Sequence, residues 1–90
     1  MVKVVTDVVI QNRKGLHARA SAQVVRLAES FKATTYIYYQ DMRAPAGSIM
    51  DLLMLGAGQW SLLRIEGEGE DAEQAVAALV GLIKNEFGEE

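Results

Sequence analysis

The chain has no cysteine, one histidine and one proline in 90 residues. The missing thiols exclude a disulfide scaffold, a thiolate zinc site and thiol catalysis. With a single histidine, His17, a metal centre built from several imidazoles is impossible, and any imidazole chemistry must run through that one ring. Long apolar runs are absent too. The longest stretch of apolar residues and glycine, Ala75–Ile83, is nine residues, against the ~20 that a membrane-spanning helix needs. Met1–Val9 alternates and forms no continuous apolar segment, so no secretory leader is expected and a cytoplasmic location is the default. There is no excess of basic charge. Nine Lys+Arg against twelve Asp+Glu leave a net charge of −3, which argues against a general nucleic-acid binder. What remains is a chain that is 50% hydrophobic, with room for one small domain over residues 1–90. A core of this size buries roughly 60–65% of the surface the unfolded chain exposes.

Hydropathy alternates with period two at the start: Val2, Val4, Thr6, Val8 and Ile10 fall on one face, which predicts a half-buried strand. Asn12-Arg13-Lys14-Gly15 breaks it. From Ala18 the period becomes helical, with Ala20, Val24, Leu27, Ala28 and Phe31 on one side. Ala33–Tyr39 is β-branched and aromatic, a second strand with Thr35, Ile37 and Tyr39 together. After a turn at Gln40-Asp41-Met42, a short third strand is expected over Arg43–Ala46. Pro45 cannot donate to a ladder, so that strand belongs at a sheet edge. Ser48–Leu55 reads as a short helix, with Ser48 as N-cap, Asp51 completing an approximate capping box and Gly56 just past its end. Ser61–Glu66 is a fourth strand with Leu63 and Ile65 inward, and Gly67-Glu68-Gly69-Glu70 a turn. Asp71 and Gln74 look like an N-cap pair for a long helix running from Ala72 through Phe87. The order β-α-β-β-α-β-α predicts an α+β two-layer sandwich, an antiparallel sheet covered by helices on one face. The acidic run Glu66–Glu73 reads as a solvated turn that also favours the following helix N-terminus.

Three places could carry chemistry. His17 stands at the start of the first helix, where unpaired N–H groups and a partial positive charge attract anions, phosphate above all. Arg19 adds a guanidinium suited to phosphate oxygens, and a neutral imidazole beside them can accept a phosphoryl group. The competing reading is a polar helix-capping residue, and no carboxylate near it in sequence suggests a catalytic triad. The second place is Ser48–Leu55. If Leu52 and Leu55 face the sheet, some of Met50, Leu53 and Met54 must face water as a docking patch; alternatively the helix sits deep and these are core residues. Third, Tyr36, Tyr38 and Tyr39 suggest a base-stacking surface, but no basic cluster accompanies them, and ordinary strand packing accounts for them.

Gly15-Leu16-His17-Ala18-Arg19 resembles the active-site motif of the histidine-containing phosphocarrier (HPr) family of the bacterial phosphoenolpyruvate-dependent phosphotransferase system. Gly47-Ser48-Ile49-Met50-Asp51-Leu52-Leu53-Met54-Leu55 resembles the family's regulatory-serine region, and the likeness extends over essentially the whole chain. The resemblance implies an open-faced β-sandwich, a four-stranded antiparallel sheet with three helices on one side. It also implies that His17 Nδ1 receives a phosphoryl group from enzyme I and passes it to a IIA protein. Ala18 and Arg19 would contribute backbone N–H groups, with the Arg19 side chain nearby. A partner surface would combine Arg26 with Ile49, Met50 and Leu53, and Ser48 matches the serine modified by HPr kinase/phosphorylase in species that have one. No cofactor or metal is implied, and the chain is expected to act as a monomer and a stoichiometric carrier, not an enzyme. The alternative function is a regulatory interaction domain controlled through Ser48. Ala20-Ser21 stands where many members have proline after the arginine, which resembles a proteobacterial branch that often serves nitrogen-related relays in place of sugar uptake. Gly47 replaces a frequent lysine, and Trp60 occupies a loop position usually held by glycine.

Overall fold

The computed structural model describes residues 3–89, so Val2, expected on the inner face of the first strand, lies outside the described residues. The elements follow the anticipated order: β1 (Lys3–Val9), α1 (Ala18–Ala28), β2 (Thr34–Tyr39), β3 (Met42–Pro45), α2 (Ile49–Met54), β4 (Leu62–Glu68) and α3 (Ala72–Lys84). A single 3-10 turn, Glu86–Gly88, follows α3. The strands form one antiparallel sheet in the order β1-β4-β2-β3. Because β1 and β2 both run antiparallel to the β4 between them, they are parallel to each other, and α1 is the crossover that joins them. β3 closes one edge, as the lone proline requires, and Pro45 pairs with Tyr36 there.

Alternation decides which side chains reach the core. Val8 and Ile10 from β1 and its continuation, Ile37 from β2, and Leu63 and Ile65 from β4 are buried. They meet Ala20 and Val24 of α1, Leu52 of α2, and Val76, Leu79, Val80 and Ile83 of α3 in one cluster. Each large aliphatic side chain buried in this way contributes about 1.5–3 kcal/mol. Among the described residues no helix is long and apolar enough to cross a membrane.

The structure departs from the sequence expectations in four places. The first hairpin pairs Tyr39 with Met42, so Gln40 and Asp41 alone make the turn and the third strand starts one residue early. β4 runs on through Gly67 and Glu68, which pair with both β1 and β2 and are not a turn. Asp71 does occupy the N-cap position of α3, yet its side chain makes no capping bond. Its carboxylate accepts from the backbone N–H groups of Lys32 and Ala33 at 2.9 and 2.7 Å instead, which pins the chain entering β2 to the start of α3. Finally, α3 stops at Lys84. Glu86 and Phe87 adopt left-handed backbone with φ of 55° and 56°, and the chain hooks back so that Phe87 still reaches the core. Its apolar spacing was right for burial and wrong for helix.

Candidate functional site

The site grows out of the β1–α1 connection. Asn12 is buried, and its Nδ2 donates to the Gly15 carbonyl at 2.9 Å while the Gly15 N–H donates to the Asn12 carbonyl at 3.2 Å. These two bonds close a tight loop that carries Arg13 and Lys14 into solvent. Gly15 has φ of 64°, and a Cβ there would lie 2.6 Å from the Ala57 oxygen and 2.6 Å from the Gly58 Cα. Glycine is therefore required both by backbone conformation and by close approach. Leu16 is buried as an anchor, with its N–H on the Ala57 carbonyl at 2.9 Å.

His17 follows as the N-cap of α1, with extended backbone and no capping bond from its side chain. The capping reading is thus excluded: the ring is used elsewhere. The first α1 hydrogen bond runs from the Ser21 N–H to the His17 carbonyl at 2.8 Å. The N–H groups of Ala18 and Arg19, both exposed, have no acceptor among the described residues. They form the positive end of an eleven-residue helix.

Ring orientation comes from the far end of the chain. His17 Nε2 lies 2.5 Å from Glu89 Oε2, and Glu89 Oε1 accepts from Asn12 Nδ2 at 3.1 Å. The two side chains are partly buried, 23% and 19% exposed. Hydrogen bonding from His17 is the main influence holding the Glu89 carboxyl below its ordinary value; bonding from Asn12 and the nearby charges of His17 and Lys14 assist, against partial desolvation. An ionised carboxylate only accepts, so Nε2 is the donor, and in the neutral ring Nδ1 is then the nitrogen carrying the lone pair. Nδ1 has no hydrogen-bond partner among the described residues. Asn12 Oδ1 is buried and without a partner among the described residues.

Arg13, Lys14, Arg19 and Glu89 line a shallow depression of about 430 Å³. Three cations share this depression with Glu89, the partner of His17, and the open N–H groups of Ala18 and Arg19 follow His17 directly in the chain, so this end of α1 suits an anionic group. No group of three or more His, Asp or Glu side chains able to hold a metal ion occurs among the described residues.

Of the residues singled out from sequence, His17, Ala18 and Arg19 come together. Arg26 does not join the cationic cluster. It lies nine positions beyond His17 on α1, about 13 Å along the axis, beside a groove formed with Gln23, Leu27, Ser30 and Leu82. On α2 the open question resolves toward exposure: Leu52 and Leu55 are buried, whereas Ile49, Met50, Leu53 and Met54 project outward, Met50 and Met54 at 68% and 69% exposure. Ser48 caps this helix, its Oγ accepting from the Asp51 N–H at 3.2 Å. Tyr36 stacks under the Arg43 guanidinium at 4.5 Å and the Tyr38 hydroxyl faces Glu66 Oε1 at 3.4 Å, interactions between neighbouring strands. Glu89 and Asn12 were missed. Glu89 contacts His17 across 72 positions of sequence, and Asn12 carried only a turn signal.

Comparison with known proteins places these features in a family. A family model described as "PTS HPr component phosphorylation site" matches residues 4–85. A phosphocarrier protein HPr from Cupriavidus necator is 42% identical over 83 residues, covering 92% of this chain and 93% of that protein. A phosphocarrier protein NPr from Shewanella violacea is 37% identical over 89 residues, covering 99% of this chain and 98% of the relative. Among solved structures, an HPr from Thermoanaerobacter tengcongensis superimposes with a TM-score of 0.89 at 38% identity, covering 100% of this chain and 99% of the other.

Proposed function

The chain belongs to the HPr family of phosphocarrier proteins of the phosphotransferase system, and on that premise we propose that His17 is its phosphoryl acceptor, with Nδ1 as the reacting atom. One observation carries the assignment: the ring sits at the N-cap of α1 with Nε2 engaged by Glu89 and Nδ1 without a partner among the described residues, at the helix end whose first N–H groups are unused. The phosphoryl group comes from a phosphohistidine of enzyme I and goes on to a histidine of a IIA protein. In the first step the Nδ1 lone pair forms a bond to phosphorus as the donor's P–N bond breaks, and that electron pair returns to the donor imidazole. Ala18 and Arg19 N–H groups and the Arg19 guanidinium hold the oxygens, so catalysis is by positioning and electrostatics.

Partner docking uses the outward side of α2 (Ile49, Met50 and Leu53) together with Arg26 of α1. Exposed methionines suit a surface that must accept successive partners and release each. Ser48 is the regulatory position, for an HPr kinase/phosphorylase where one is present. Its half-buried hydroxyl lies next to the exposed Ile49 and Met50, so a phosphate there lands on the docking side. The protein works as a cytoplasmic monomer with one domain over residues 1–90. It is a stoichiometric carrier without a cofactor, in a relay for sugar uptake or for nitrogen and carbon regulation. Relatives named HPr and NPr are both among those it resembles.

Incubation with phosphoenolpyruvate and enzyme I should give one acid-labile, base-stable phosphate per chain, absent from His17→Ala. If no phosphate appears, or if it persists in that variant, the assignment fails.

A further inference from the structure

The end of the chain adopts a conformation that its residues do not favour. Glu86, Phe87 and Gly88 are three successive left-handed residues, φ 55°, 56° and 77°, of which only the glycine adopts that region freely. The surroundings hold them there. The Phe87 side chain is buried in the core, Gln23 Nε2 of α1 donates to the Phe87 carbonyl at 3.1 Å, and the N–H groups of Gly88 and Glu89 close on the carbonyls of Asn85 and Glu86 at 3.0 and 2.9 Å. The hook returns the chain to α1 and delivers one side chain, Glu89, to the imidazole. That carboxylate uses its oxygens separately, Oε2 on His17 Nε2 and Oε1 on Asn12 Nδ2. Asn12 in turn fastens the carboxylate to the loop that positions the ring.

We propose that Glu89 is a positioning residue for phosphoryl transfer, selecting the Nε2–H tautomer of His17 and keeping Nε2 protonated while Nδ1 carries the phosphoryl group. The inference rests on the assignment of His17 as acceptor. A carboxylate cannot donate, so it admits only the tautomer whose lone pair is on Nδ1. When Nδ1 bonds to phosphorus the ring becomes a phosphoimidazolium whose positive charge is shared with Nε2–H, directly opposite Glu89. On onward transfer the P–Nδ1 bond breaks and its electron pair returns to Nδ1. With the proton still on Nε2 the leaving group is neutral imidazole; without it, imidazolate, a far poorer leaving group. The carboxylate thus acts through the ring, much as the buried aspartate of a serine-protease triad orients its histidine and stabilises the imidazolium. The charged groups around it are Arg13 and Lys14 from the loop, His17 at the N-cap of α1 and Arg19 in its first turn. Of these, Arg13, Lys14 and Arg19 line one depression together with Glu89.

The test uses the full chain and two variants. In the unphosphorylated protein, ring ¹⁵N shifts of neutral His17 should report the Nε2–H tautomer, with mixed tautomers in Glu89→Ala. Glu89→Gln loses the charge and offers one acceptor oxygen where Asn12 Nδ2 and His17 Nε2–H both need one, so it should also mix the tautomers and change the pH profile. Its onward transfer to a IIA protein should match the wild type near about pH 6 and fall about tenfold behind near about pH 9, a difference equivalent to one unit of proton affinity. An unchanged tautomer in Glu89→Ala, or Glu89→Gln rates that match the wild type or are lowered equally at both pH values, overturns the proposal. Failure of the underlying assignment looks different: the wild-type chain itself would take no phosphate on His17, whatever its tautomer.

Discussion

The Leu16 N–H donates to the Ala57 carbonyl at 2.9 Å, and this bond, with Gln59 Nε2 donating to the Gln11 carbonyl at 3.1 Å, ties the loop that presents His17 to the loop that follows α2. The contact brings the backbones so close that Gly15, with φ of 64°, has no room for a methyl group against the Ala57 oxygen. Gly15→Ala therefore faces both a disfavoured conformation and a clash with backbone that cannot swing aside. The expected loss of stability is about 1–3 kcal/mol, read from denaturant unfolding. Phosphoryl acceptance should fall as well, because the alternative to strain is separation of the two loops and displacement of the ring. A variant with wild-type stability and wild-type acceptance would show that the loops part without consequence.

Asp71 shows how a residue can be located correctly from sequence and its role misread. The carboxyl lies below its ordinary value, chiefly because it accepts from the Lys32 N–H, assisted by the Ala33 N–H. A depressed folded-state value means the ionised form is the stabilising one. Its contribution is present above the unfolded value near 3.8 and is lost as pH falls through the lowered folded value. Asp71→Asn should be less stable than the wild type at neutral pH, and the gap should close below that range. Thermal melts at several pH values decide it, and a gap that stays constant with pH would remove the charge from the explanation.

Period and punctuation in the chain carried most of the fold. Val8 of β1, Ile37 of β2 and Leu63 and Ile65 of β4 face the core as their alternation required, the proline strand is at the edge, and Leu52 and Leu55 are the buried side of α2. What stayed hidden depends on tertiary contact. The spacing that buries Phe87 is the same whether the chain continues as helix or turns left-handed at Glu86, so the hook left no local signal. With the hook went the carboxylate of Glu89, and with that the orientation of the one imidazole. Asp71 failed for a related reason: N-cap chemistry is local, whereas its actual partners are some 38 positions away.

On α2 the buried and exposed sides should respond oppositely. Leu52→Ala opens a cavity in the core and is expected to cost about 2–5 kcal/mol. Met50→Asp removes nothing from the core and should stay within about 0.5 kcal/mol of the wild type. Phosphorylation by enzyme I should nevertheless slow about tenfold in Met50→Asp, as a charge enters the apolar surface proposed for docking. Paired melts and phosphorylation rates separate the two effects. Equal rates for Met50→Asp and the wild type would exclude that side of α2 from the interface with enzyme I.

Ser48 offers a cleaner separation of folding from regulation. Its Oγ satisfies the Asp51 N–H, and Ser48→Ala should cost about 0.5–2 kcal/mol for the lost cap. Ser48→Asp retains an acceptor at the same place and should melt closer to the wild type than the alanine variant does. If it also accepts phosphate from enzyme I more slowly, the effect belongs to the partner surface and not to unfolding. A Ser48→Asp melt below that of Ser48→Ala would reverse this conclusion.

Trp60 is 67% exposed and has φ of 73°, with its N–H on the Ile10 carbonyl at 2.7 Å. Glycine adopts this left-handed backbone freely, whereas tryptophan is strained in it. Removing the largest side chain in the protein should therefore not destabilise the fold. Relief of the left-handed conformation in Trp60→Gly, about 1 kcal/mol, is set against the greater freedom glycine gives the unfolded chain, about 0.4–1 kcal/mol. The melt should be unchanged or slightly raised. Trp60→Ala keeps the strain and loses the ring, so it should be no more stable than Trp60→Gly. A clear loss of stability in both variants would mean that the exposed indole makes a folding contribution its surroundings do not account for. A loss in Trp60→Gly alone would mean that the backbone is not strained.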